Sequence, residues 1–389
     1  MKILQVHNYY QYPGGEDIVV KNEYDLLTSK KNKVIQYIKN NSEIDKYALI
    51  KKIKLFFDAT YSKNTYKEII NLLKIEKPDV VHVHNTLPLI SPSVYYACKD
   101  LNVPVVQTLH NYRLFCSNAY FFREGHICEE CVGKSLFHSV KYGCYKNSRL
   151  QTFALARIVE QNKKWGTWEN KIDLYIALTE FSKKKLIEAG MPENKIVVKP
   201  NFIFNDPGID YETQNHFLCA GRLDITKGTQ VLLEAKKKLK NKVNILVAGD
   251  GILRDEIKKD FNENYLGQLN HCDLMKFMKG SIALIFPSIL YENLPMVIIE
   301  AFACGKPVIA SNLGAMAELI EDGKTGLLFE PGNANDLAEK IIWACVHKKE
   351  MKQMGMNARK EYEEKYTAEK NYKMLIEIYE KAIKMQNSK

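Results

Sequence analysis

Hydrophobic positions along the chain form short runs rich in β-branched residues, which alternate with longer stretches of helical periodicity. The runs predict strands at 2–7, 33–38, 79–84, 104–109, 173–178, 217–221, 243–248, 282–286 and 307–310. The periodic stretches predict helices at 16–29, 65–76, 92–101, 150–169, 179–189, 228–240, 252–261, 295–303 and 334–346. Several runs are apolar throughout, which is typical of strands buried on both faces. Alternating strands and helices of this kind predict parallel, doubly wound α/β sheets.

The strand and helix pattern restarts near residue 215, after a loop that contains Pro200, Asp206, Pro207 and Gly208. A chain of 389 residues also exceeds what one core usually carries. We therefore expect two Rossmann-like domains facing a cleft, the first at 1–204 and the second at 205–365. The helix predicted at 366–386 should pack back on the first domain. Ligands of such sheets bind beyond the carboxyl ends of the strands.

Composition adds a charge asymmetry to this picture. Residues 1–200 hold 30 basic and 20 acidic side chains, whereas residues 201–389 hold 26 of each. The proportions of charged and hydrophobic residues, 26% and 46%, exclude a disordered or low-complexity chain. No apolar run approaches the ~18 residues of a membrane span, and strand-like sequence begins at once. We therefore expect a cytoplasmic protein.

Two loops that follow predicted strands carry residues suited to anion binding. The first strand runs into Gly14 and Gly15 before a helix, where glycines let backbone N–H groups approach a phosphate or a sugar closely. The strand at 217–221 runs into Arg222 and Lys227, whose guanidinium and ammonium groups can hold a diphosphate. The alternative interpretations are a tight turn at the glycines and two solvated surface cations.

A third loop, after the strand at 282–286, combines acidic residues with a helix start. Pro295 suits the first position of a helix, so Asn293 and Leu294 should present backbone N–H groups to an anion or a hydroxyl. Glu300 is a charge within a strongly apolar helix and must be paired or hydrogen-bonded. Ribose hydroxyls would serve as its partners, and an internal salt bridge is the alternative.

In this arrangement the sequence resembles the family 4 retaining nucleotide-sugar glycosyltransferases, which have the GT-B fold. The most specific match is the pair of glutamates that marks the family, Glu292 and Glu300, with seven residues between them. Glu292 lies in the segment Pro-Ser-x-x-Tyr-Glu-Asn-Leu-Pro. Further matching segments are 14–15, 82–85, 110–111, 221–228, 248–251, 265–268 and 314–318. The resemblance covers nearly the whole chain.

The resemblance implies a role for each matching residue. Arg222 and Lys227 would bind the diphosphate, Glu300 the ribose, and Glu292 the transferred sugar. The remaining donor contacts would be Gly14 and Gly15 over the phosphates, Gly251, Leu266 and Gln268 around the base, and the backbone at Asn293, Leu294 and Pro295. His110 would be catalytic beside the donor sugar, and His84 and Asn85 would contact the acceptor. The sequence has no Asp-x-Asp motif, which agrees with charge stabilisation by cations of the protein and with no cofactor for the chemistry.

The function implied is a retaining glycosyltransferase that moves a hexose-type sugar from a nucleoside diphosphate to a saccharide or lipid-linked acceptor in bacterial polysaccharide biosynthesis. Two alternatives stay open. A GT-B nucleotide-sugar epimerase or hydrolase would turn the donor over regardless of added saccharide. A non-catalytic nucleotide-sugar binding protein would tolerate Glu292→Gln.

Four of the nine cysteines, Cys116, Cys128, Cys131 and Cys144, fall within 29 residues of an irregular, polar segment. A Cys-x2-Cys pair flanked by two further thiols can supply four thiolates to a structural zinc. The spacing differs from two Cys-x2-Cys knuckles, so reduced structural thiols and redox or iron–sulfur chemistry stay open as alternatives.

The segment 45–58 has apolar residues at Leu49, Ile53, Phe56 and Phe57 with lysines between them. As a helix it would be amphipathic and basic, the type that lies on an anionic membrane surface. The alternative is a core-packed helix with a solvated lysine face. Nucleic acid is not expected as a partner, because the basic residues match no recognition motif. Peripheral attachment to the inner face of the cell membrane would follow from the first interpretation.

Overall fold

The computed structural model describes residues 1–11, 14–211, 216–240 and 242–387, which form two units. The N-terminal unit comprises Met1–Phe121, Glu129–Pro200 and Asn371–Lys389, and the C-terminal unit comprises Phe122–Cys128 and Asn201–Lys370. Each unit is built on a six-stranded parallel sheet with helices. This architecture confirms the predicted α/β class with two Rossmann-like sheets.

The elements are numbered in chain order over the described residues. The strands are β1 (Lys2–Tyr9), β2 (Lys33–Asn40), β3 (Val80–Asn85), β4 (Val105–Thr108), β5 (Phe122–Arg123), β6 (His126–Ile127), β7 (Leu174–Ala177), β8 (Ile196–Val198), β9 (His216–Ala220), β10 (Ile245–Ala248), β11 (Tyr265–Gly267), β12 (Ser281–Phe286), β13 (Val308–Ser311) and β14 (Gly326–Phe329). The α-helices are α1 (Gly15–Ser29), α2 (Leu49–Asp58), α3 (Lys63–Glu76), α4 (Ser93–Asp100), α5 (Arg149–Lys164), α6 (Thr167–Asn170), α7 (Glu180–Glu188), α8 (Thr229–Leu239), α9 (Arg254–Phe261), α10 (His271–Lys279), α11 (Met296–Ala303), α12 (Ala315–Leu319), α13 (Ala334–Val346), α14 (Lys348–Lys365) and α15 (Ala368–Asn387).

The N-terminal sheet has the strand order β2-β1-β3-β4-β7-β8, with β1 in register against β2 from Lys2 opposite Lys33. Both faces of this sheet are covered. Leu4 and Val6 of β1 point into one core together with Val81 of β3, whereas Ile3 points into the core on the opposite face. Alternating side chains of a strand face opposite sides, so a sheet covered on both faces favours apolar residues at successive positions. Burial on both faces of the sheet therefore explains the continuous apolar runs of the sequence.

Helix α15 covers the second face of the N-terminal sheet. Its residues Leu375, Ile378, Tyr379 and Ala382 are buried in the same core as Ile3. Their spacing of three and four residues places them on one side of a helix. The C-terminal end of the chain therefore belongs to the core of the N-terminal unit.

The C-terminal sheet has the strand order β11-β10-β9-β12-β13-β14, and all of its pairings are parallel. Its main core combines strand residues such as Phe217 and Val247 with helix residues such as Leu232 and Leu337. The hairpin of β5 and β6 is the antiparallel pair of the described residues. The sheet order places β9 and β12 side by side at the centre.

The structure differs from the predicted elements chiefly at short strands. β8 and β11 have only three residues each, too few to show a period, and were not predicted, and neither was β14. The helix predicted at 150–169 ends at Lys164, since Gly166 adopts a left-handed conformation (φ 67°) before the single turn of α6. Helices α10 and α14 were also absent from the prediction.

Candidate active site

Predicted donor residues lie at the topological switch point of the C-terminal sheet. The strand order runs outward in opposite directions from β9 and β12, and such a point is where open α/β sheets bind ligands. The loop after β9 carries Arg222 and Lys227, and the loop after β12 carries Glu292. The structure thus brings together residues that lie about 65 positions apart in the chain.

Lys227 and Glu292 form an ion pair at this switch point. The Lys227 ammonium donates to Glu292 Oε1 at 2.6 Å, and the Ser288 hydroxyl donates to the same oxygen at 2.7 Å. The Lys227 side chain keeps 25% of its surface exposed, so the ammonium is accessible from solvent. Its three hydrogens allow it to hold Glu292 and an incoming anion at once. Ser288 was missed by the sequence analysis, although it lies four residues before Glu292 in the same loop.

Arg222 is held beside Lys227 by Asp224. The half-exposed guanidinium contacts the Asp224 carboxylate, which also accepts from the Thr226 hydroxyl at 2.6 Å and from the Lys227 backbone N–H at 3.0 Å. Burial raises the pKa of Asp224, but the hydrogen bonds from Thr226 and Arg222 outweigh burial and hold the pKa below its usual value. The carboxylate therefore stays ionised and fixes the loop that presents both cations.

Close backbone packing explains two glycines of this site. A Cβ at Gly228 (φ 73°) would lie 1.8 Å from the carbonyl oxygen of Pro287, in the loop after β12. A Cβ at Gly251 would lie 2.3 Å from the carbonyl oxygen of Leu223. Only glycine allows these backbones to approach so closely. The two loops that carry Lys227 and Glu292 are thus locked together by main-chain contact.

Glu300 is paired within the protein in this structure. Its carboxylate lies 3.2 Å from Nε2 of His271 on α10, and the hydrogen bond raises the pKa of His271. Glu300 is mostly buried, whereas His271 is exposed. Glu300 therefore has a partner within the protein, as the alternative interpretation expected, and that partner is His271, which the sequence analysis missed.

The remaining donor residues lie at the same edge of the sheet. Gly249, beside Gly251, donates its N–H to the Gly267 carbonyl at 2.8 Å, between Leu266 and Gln268. Leu266 is partly exposed and Gln268 is exposed. Asn293 and Leu294 precede Pro295, which is the N-cap of α11, so the helix begins one residue later than proposed.

The N-terminal unit has its own switch point, between β1 and β3. Gly14 and Gly15 start α1 after β1, and the Gly14 N–H donates to Asp17 Oδ2 at 2.9 Å. The other oxygen of Asp17 lies 2.8 Å from Nε2 of His7. Tyr12 and Pro13, which complete this loop, lie outside the described residues.

His110 and His84 are hydrogen-bonded to each other at this point. Nε2 of His110 lies 3.0 Å from Nδ1 of His84, and the two rings are stacked. Burial lowers the pKa of His110 to about 3 and that of His84 well below its usual value, so both rings are neutral at pH 7. The His84 side chain is fully buried, so His110 is the member of the pair that remains partly exposed.

Asn85 has a backbone role in this structure. Its amide N–H donates to the Asn8 carbonyl at 2.9 Å, and its amide oxygen accepts from the Leu87 N–H at 3.0 Å. These bonds fix the chain after β3. Acceptor contacts by His84 and Asn85 stay a prediction.

A buried carboxylic acid lies beside this site and was not predicted. Glu16, which follows Gly15, accepts from the Tyr10 hydroxyl at 2.9 Å and lies 3.4 Å from the Asn111 amide nitrogen. Burial raises the pKa of Glu16 to about 8. At neutral pH the group is therefore largely protonated and able to donate a hydrogen bond.

The predicted zinc ligands are not gathered by the structure. Cys128 belongs to the C-terminal unit, whereas Cys116, Cys131 and Cys144 belong to the N-terminal unit. Among the described residues, those three sulfurs do not form a group within 4.8 Å. Burial also raises the pKa of Cys116, which opposes the thiolate that zinc requires. Zinc binding by these four cysteines stays a prediction.

The basic segment 45–58 contains helix α2, which makes few packing contacts. None of the ten residues of α2, all of them described, is buried. Leu49, Ile50, Ile53 and Phe57 are each more than half exposed. Arg157 stacks on Phe56 and Phe57 from α5. The core-packed alternative is therefore not favoured by the structure. Within the described residues, the helices include none with the length and hydropathy of a membrane span.

Solved structures share this architecture over nearly the whole chain. HepE of Anabaena in complex with UDP superposes with a TM-score of 0.67, covering 97% of this chain and 99% of that chain at 18% identity. Sucrose-phosphate synthase from Thermosynechococcus elongatus superposes with a TM-score of 0.69, covering 98% of both chains at 16% identity. The two parallel sheets and these superpositions define the GT-B fold.

Family models and relatives give the particular family. Residues 203–361 match the glycosyl transferases group 1, and residues 42–204 match Glycosyltransferase Family 4. The chain therefore belongs to the family 4 glycosyltransferases. An uncharacterized glycosyltransferase of Methanocaldococcus jannaschii is 27% identical over 98% of both chains. The poly(ribitol-phosphate) alpha-N-acetylglucosaminyltransferase of Staphylococcus aureus is 25% identical over 88% of this chain and 73% of its own.

Proposed function

We propose that this glycosyltransferase transfers a hexose-type sugar from a nucleoside diphosphate to a saccharide or lipid-linked saccharide with retained configuration. The observation that carries the proposal is the Lys227–Glu292 pair beside Arg222 at the switch point of the C-terminal sheet. Relatives support the donor class, because HepE was crystallised with UDP and with UDP-glucose. The S. aureus relative, by its name, acts on a poly(ribitol phosphate), which supports a bacterial polysaccharide acceptor.

The geometry of the C-terminal unit suits a nucleoside diphosphate leaving group. Arg222 and Lys227 hold the diphosphate oxygens and stabilise the charge that develops as the sugar C1–O bond breaks. Glu292 orients the transferred sugar, and Glu300 exchanges His271 for the ribose hydroxyls. No metal is needed for this charge stabilisation, because two cations of the protein supply it.

Retention follows from attack on the face that the diphosphate leaves. The acceptor oxygen forms its bond to C1 on that face, and its proton passes to the departing diphosphate. His110 contacts the donor sugar beside the acceptor hydroxyl, with Gly14 and Gly15 over the phosphates and with Gly251, Leu266 and Gln268 flanking the base. We place His84 and Asn85 on the acceptor side.

A thermal-shift screen of nucleoside diphosphate sugars tests the donor proposal, since a ligand of the folded state raises its stability. We expect one donor base to raise the melting temperature and Lys227→Met to reduce that increase at the same ligand concentration. The anomeric configuration of the product, read by ¹H NMR, then tests retention. An inverted product would contradict the proposed chemistry, and a panel without any stabilising donor would contradict the proposed substrate class.

We further propose that α2 attaches the enzyme to an anionic membrane surface that bears its acceptor. Four exposed apolar side chains of α2 lie beside exposed Lys51, Lys52 and Lys54. An apolar face flanked by lysines fits the interface of an anionic bilayer. The first 200 positions also carry an excess of basic residues, whose positive charge suits an anionic surface as the lysines of α2 do.

Liposome co-sedimentation tests this attachment. We expect binding to vesicles that contain anionic phospholipid, with loss at high salt and in Ile50→Ser/Ile53→Ser. Ile342→Ser serves as the control, because Ile342 is similarly exposed on the C-terminal unit. Equal binding to neutral and anionic vesicles, or equal binding by the double variant, would contradict the proposal.

A further inference from the structure

A fully buried carboxylate on α1 lies directly behind the histidine pair. Glu23 Oε1 accepts from the Lys199 ammonium at 2.9 Å, and Lys199 in turn donates to the Asn371 side chain at 3.2 Å. The other oxygen, Oε2, lies 3.4 Å from Nε2 of His84. Oε2 also lies 3.5 Å from Nδ1 of His82. Among the described residues, neither Glu23 Oε2 nor His84 Nε2 has a hydrogen-bond partner as placed. A buried acceptor and a buried ring nitrogen that face each other are the natural partners of one another.

A metal ion does not suit this position, although ligand atoms of Glu23, His82 and His84 lie within 4.8 Å of one another. The Lys199 ammonium already occupies Glu23 and would repel a cation. Both nitrogens of His82 are also engaged, Nδ1 with the Tyr379 hydroxyl at 2.7 Å and Nε2 with the Thr108 hydroxyl at 2.8 Å. We therefore infer a chain of hydrogen bonds in which Glu23 Oε2 and Nε2 of His84, the two unpaired atoms, are partners.

The direction of each hydrogen bond in this chain follows from Glu23. An ionised carboxylate can only accept, so Nε2 of His84 must carry a hydrogen. A neutral imidazole has one donor and one acceptor, so Nδ1 of His84 accepts from its neighbour Nε2 of His110. His110 then has its hydrogen on Nε2 and its lone pair on Nδ1. Burial opposes ionisation of Glu23, but the adjacent Lys199 ammonium outweighs burial and lowers the pKa of Glu23, which agrees with a carboxylate here.

We propose that Glu23 is a positioning residue for glycosyl transfer, which fixes the tautomer of His84 and, through it, the tautomer and orientation of His110. This inference rests on the proposed role of His110 beside the donor sugar and the acceptor. Its consequence is specific: Nδ1 of His110 accepts a hydrogen bond from a substrate hydroxyl and does not donate one. Glu23 itself does not touch the substrate.

The isosteric change Glu23→Gln should reverse the whole chain. Lys199 can only donate, so it takes the amide oxygen of the glutamine, and the amide N–H2 then faces Nε2 of His84. That nitrogen becomes an acceptor, Nδ1 of His84 becomes the donor to His110, and the hydrogen of His110 moves to Nδ1. A donor then faces the substrate hydroxyl in place of an acceptor.

The tautomers are measured by ¹⁵N NMR of the full-length protein with labelled histidine, since ring nitrogens with and without hydrogen differ strongly in chemical shift. His84→Gln and His110→Gln assign the signals. We expect hydrogen on Nε2 of both rings in the wild type and on Nδ1 of both rings in Glu23→Gln. Hydrogen on Nδ1 of His84 in the wild type would overturn the proposal. This measurement needs no activity, so it stands even if the proposed reaction is wrong.

Kinetics supply the second measurement. We expect Glu23→Gln to lower kcat about 10- to 100-fold, by analogy with the loss found when the partner that orients a metal-binding histidine is removed. The KM for the donor should be unchanged, because its diphosphate is bound by the C-terminal unit. Tyr379→Phe is the matched control: it removes a buried hydroxyl from His82 in the same network and leaves His84 untouched, so kcat should stay within twofold. Equal losses in both variants would show a merely structural role and overturn the inference.

Discussion

Removal of the Lys227 ammonium tests how the donor is held. In Lys227→Met a chain of similar length and shape replaces the lysine, so the packing over Phe286 is kept while the charge is lost. The ammonium is one-quarter exposed and already oriented by Glu292, so little ordering is needed when a phosphate arrives. A hydrogen bond to a charged group contributes about 1.5–3 kcal/mol. Because ~1.4 kcal/mol corresponds to tenfold in affinity, the dissociation constant should rise about 10- to 150-fold.

Two features of the structure place the expected loss near the lower end of this range. Arg222 remains beside the diphosphate and keeps part of the charge stabilisation. Lys227 also exchanges part of its bond to Glu292 for the phosphate, so the net gain on binding is reduced. We therefore expect a loss of about tenfold to thirtyfold.

Isothermal titration calorimetry with UDP or the donor base found in the thermal-shift screen measures the effect. Lys324→Met is the matched control, because Lys324 is an exposed lysine of the same unit that is paired with Glu321 at 2.7 Å. Its affinity for the nucleotide should stay within twofold of wild type. Unchanged affinity in a folded Lys227→Met protein, or an equal loss in Lys324→Met, would refute the role given to Lys227.

Three further predictions concern stability and the nucleoside. His110 has a pKa of about 3 in the folded protein and near 6.5 in the unfolded chain. The stability that neutral His110 contributes is therefore complete above pH 6.5 and is lost as the pH falls. In urea titrations the wild type should lose about 2 kcal/mol of unfolding free energy between pH 8 and pH 5, relative to His110→Gln. Gly228→Ala should lower the free energy of unfolding by about 2 kcal/mol or more beyond the loss in Gly323→Ala. Both glycines have φ near 73°, but of the two only Gly228 has a backbone oxygen at the position that a Cβ would occupy. Equal melting temperatures of the two variants would contradict this. Glu300→Gln should weaken UDP binding about tenfold but leave the binding of inorganic diphosphate unchanged, since the lost contact is to ribose.

The sequence predicted the parts of this protein that depend on local pattern. The buried strand β10, and β12 after Ser281, are apolar at every position, so their place in a parallel sheet could be predicted. Loop residues such as Arg222 and Glu292 follow directly from strand ends, so their convergence at the switch point of the sheet could be expected. Strands β8 and β11 could not be predicted, because each has only three residues, too few to show the alternation typical of a strand. Their pairing also depends on neighbours that are distant in the chain.

Residues defined by long-range contacts were missed for a related reason. Glu23 lies in a predicted helix and, by pattern alone, is one more polar position. Its partner Lys199 lies 176 residues away, and only the folded sheet brings the two together. His271 and Glu300 likewise meet across two helices. The four cysteines illustrate the opposite case, because their closeness in sequence is not matched by a cluster among the described residues.

Acceptor-dependent release of nucleoside diphosphate tests the central claim most directly, with wild type and Glu292→Gln compared at saturating donor. The account predicts that release by the wild type rises when a saccharide acceptor is added. It also predicts a fall of about 100-fold in Glu292→Gln, the order expected when a preorganised electrostatic contact is removed from the active site. Release that ignores the acceptor would instead indicate a hydrolase or an epimerase. Release that survives Glu292→Gln at the wild-type rate would contradict the active site described above.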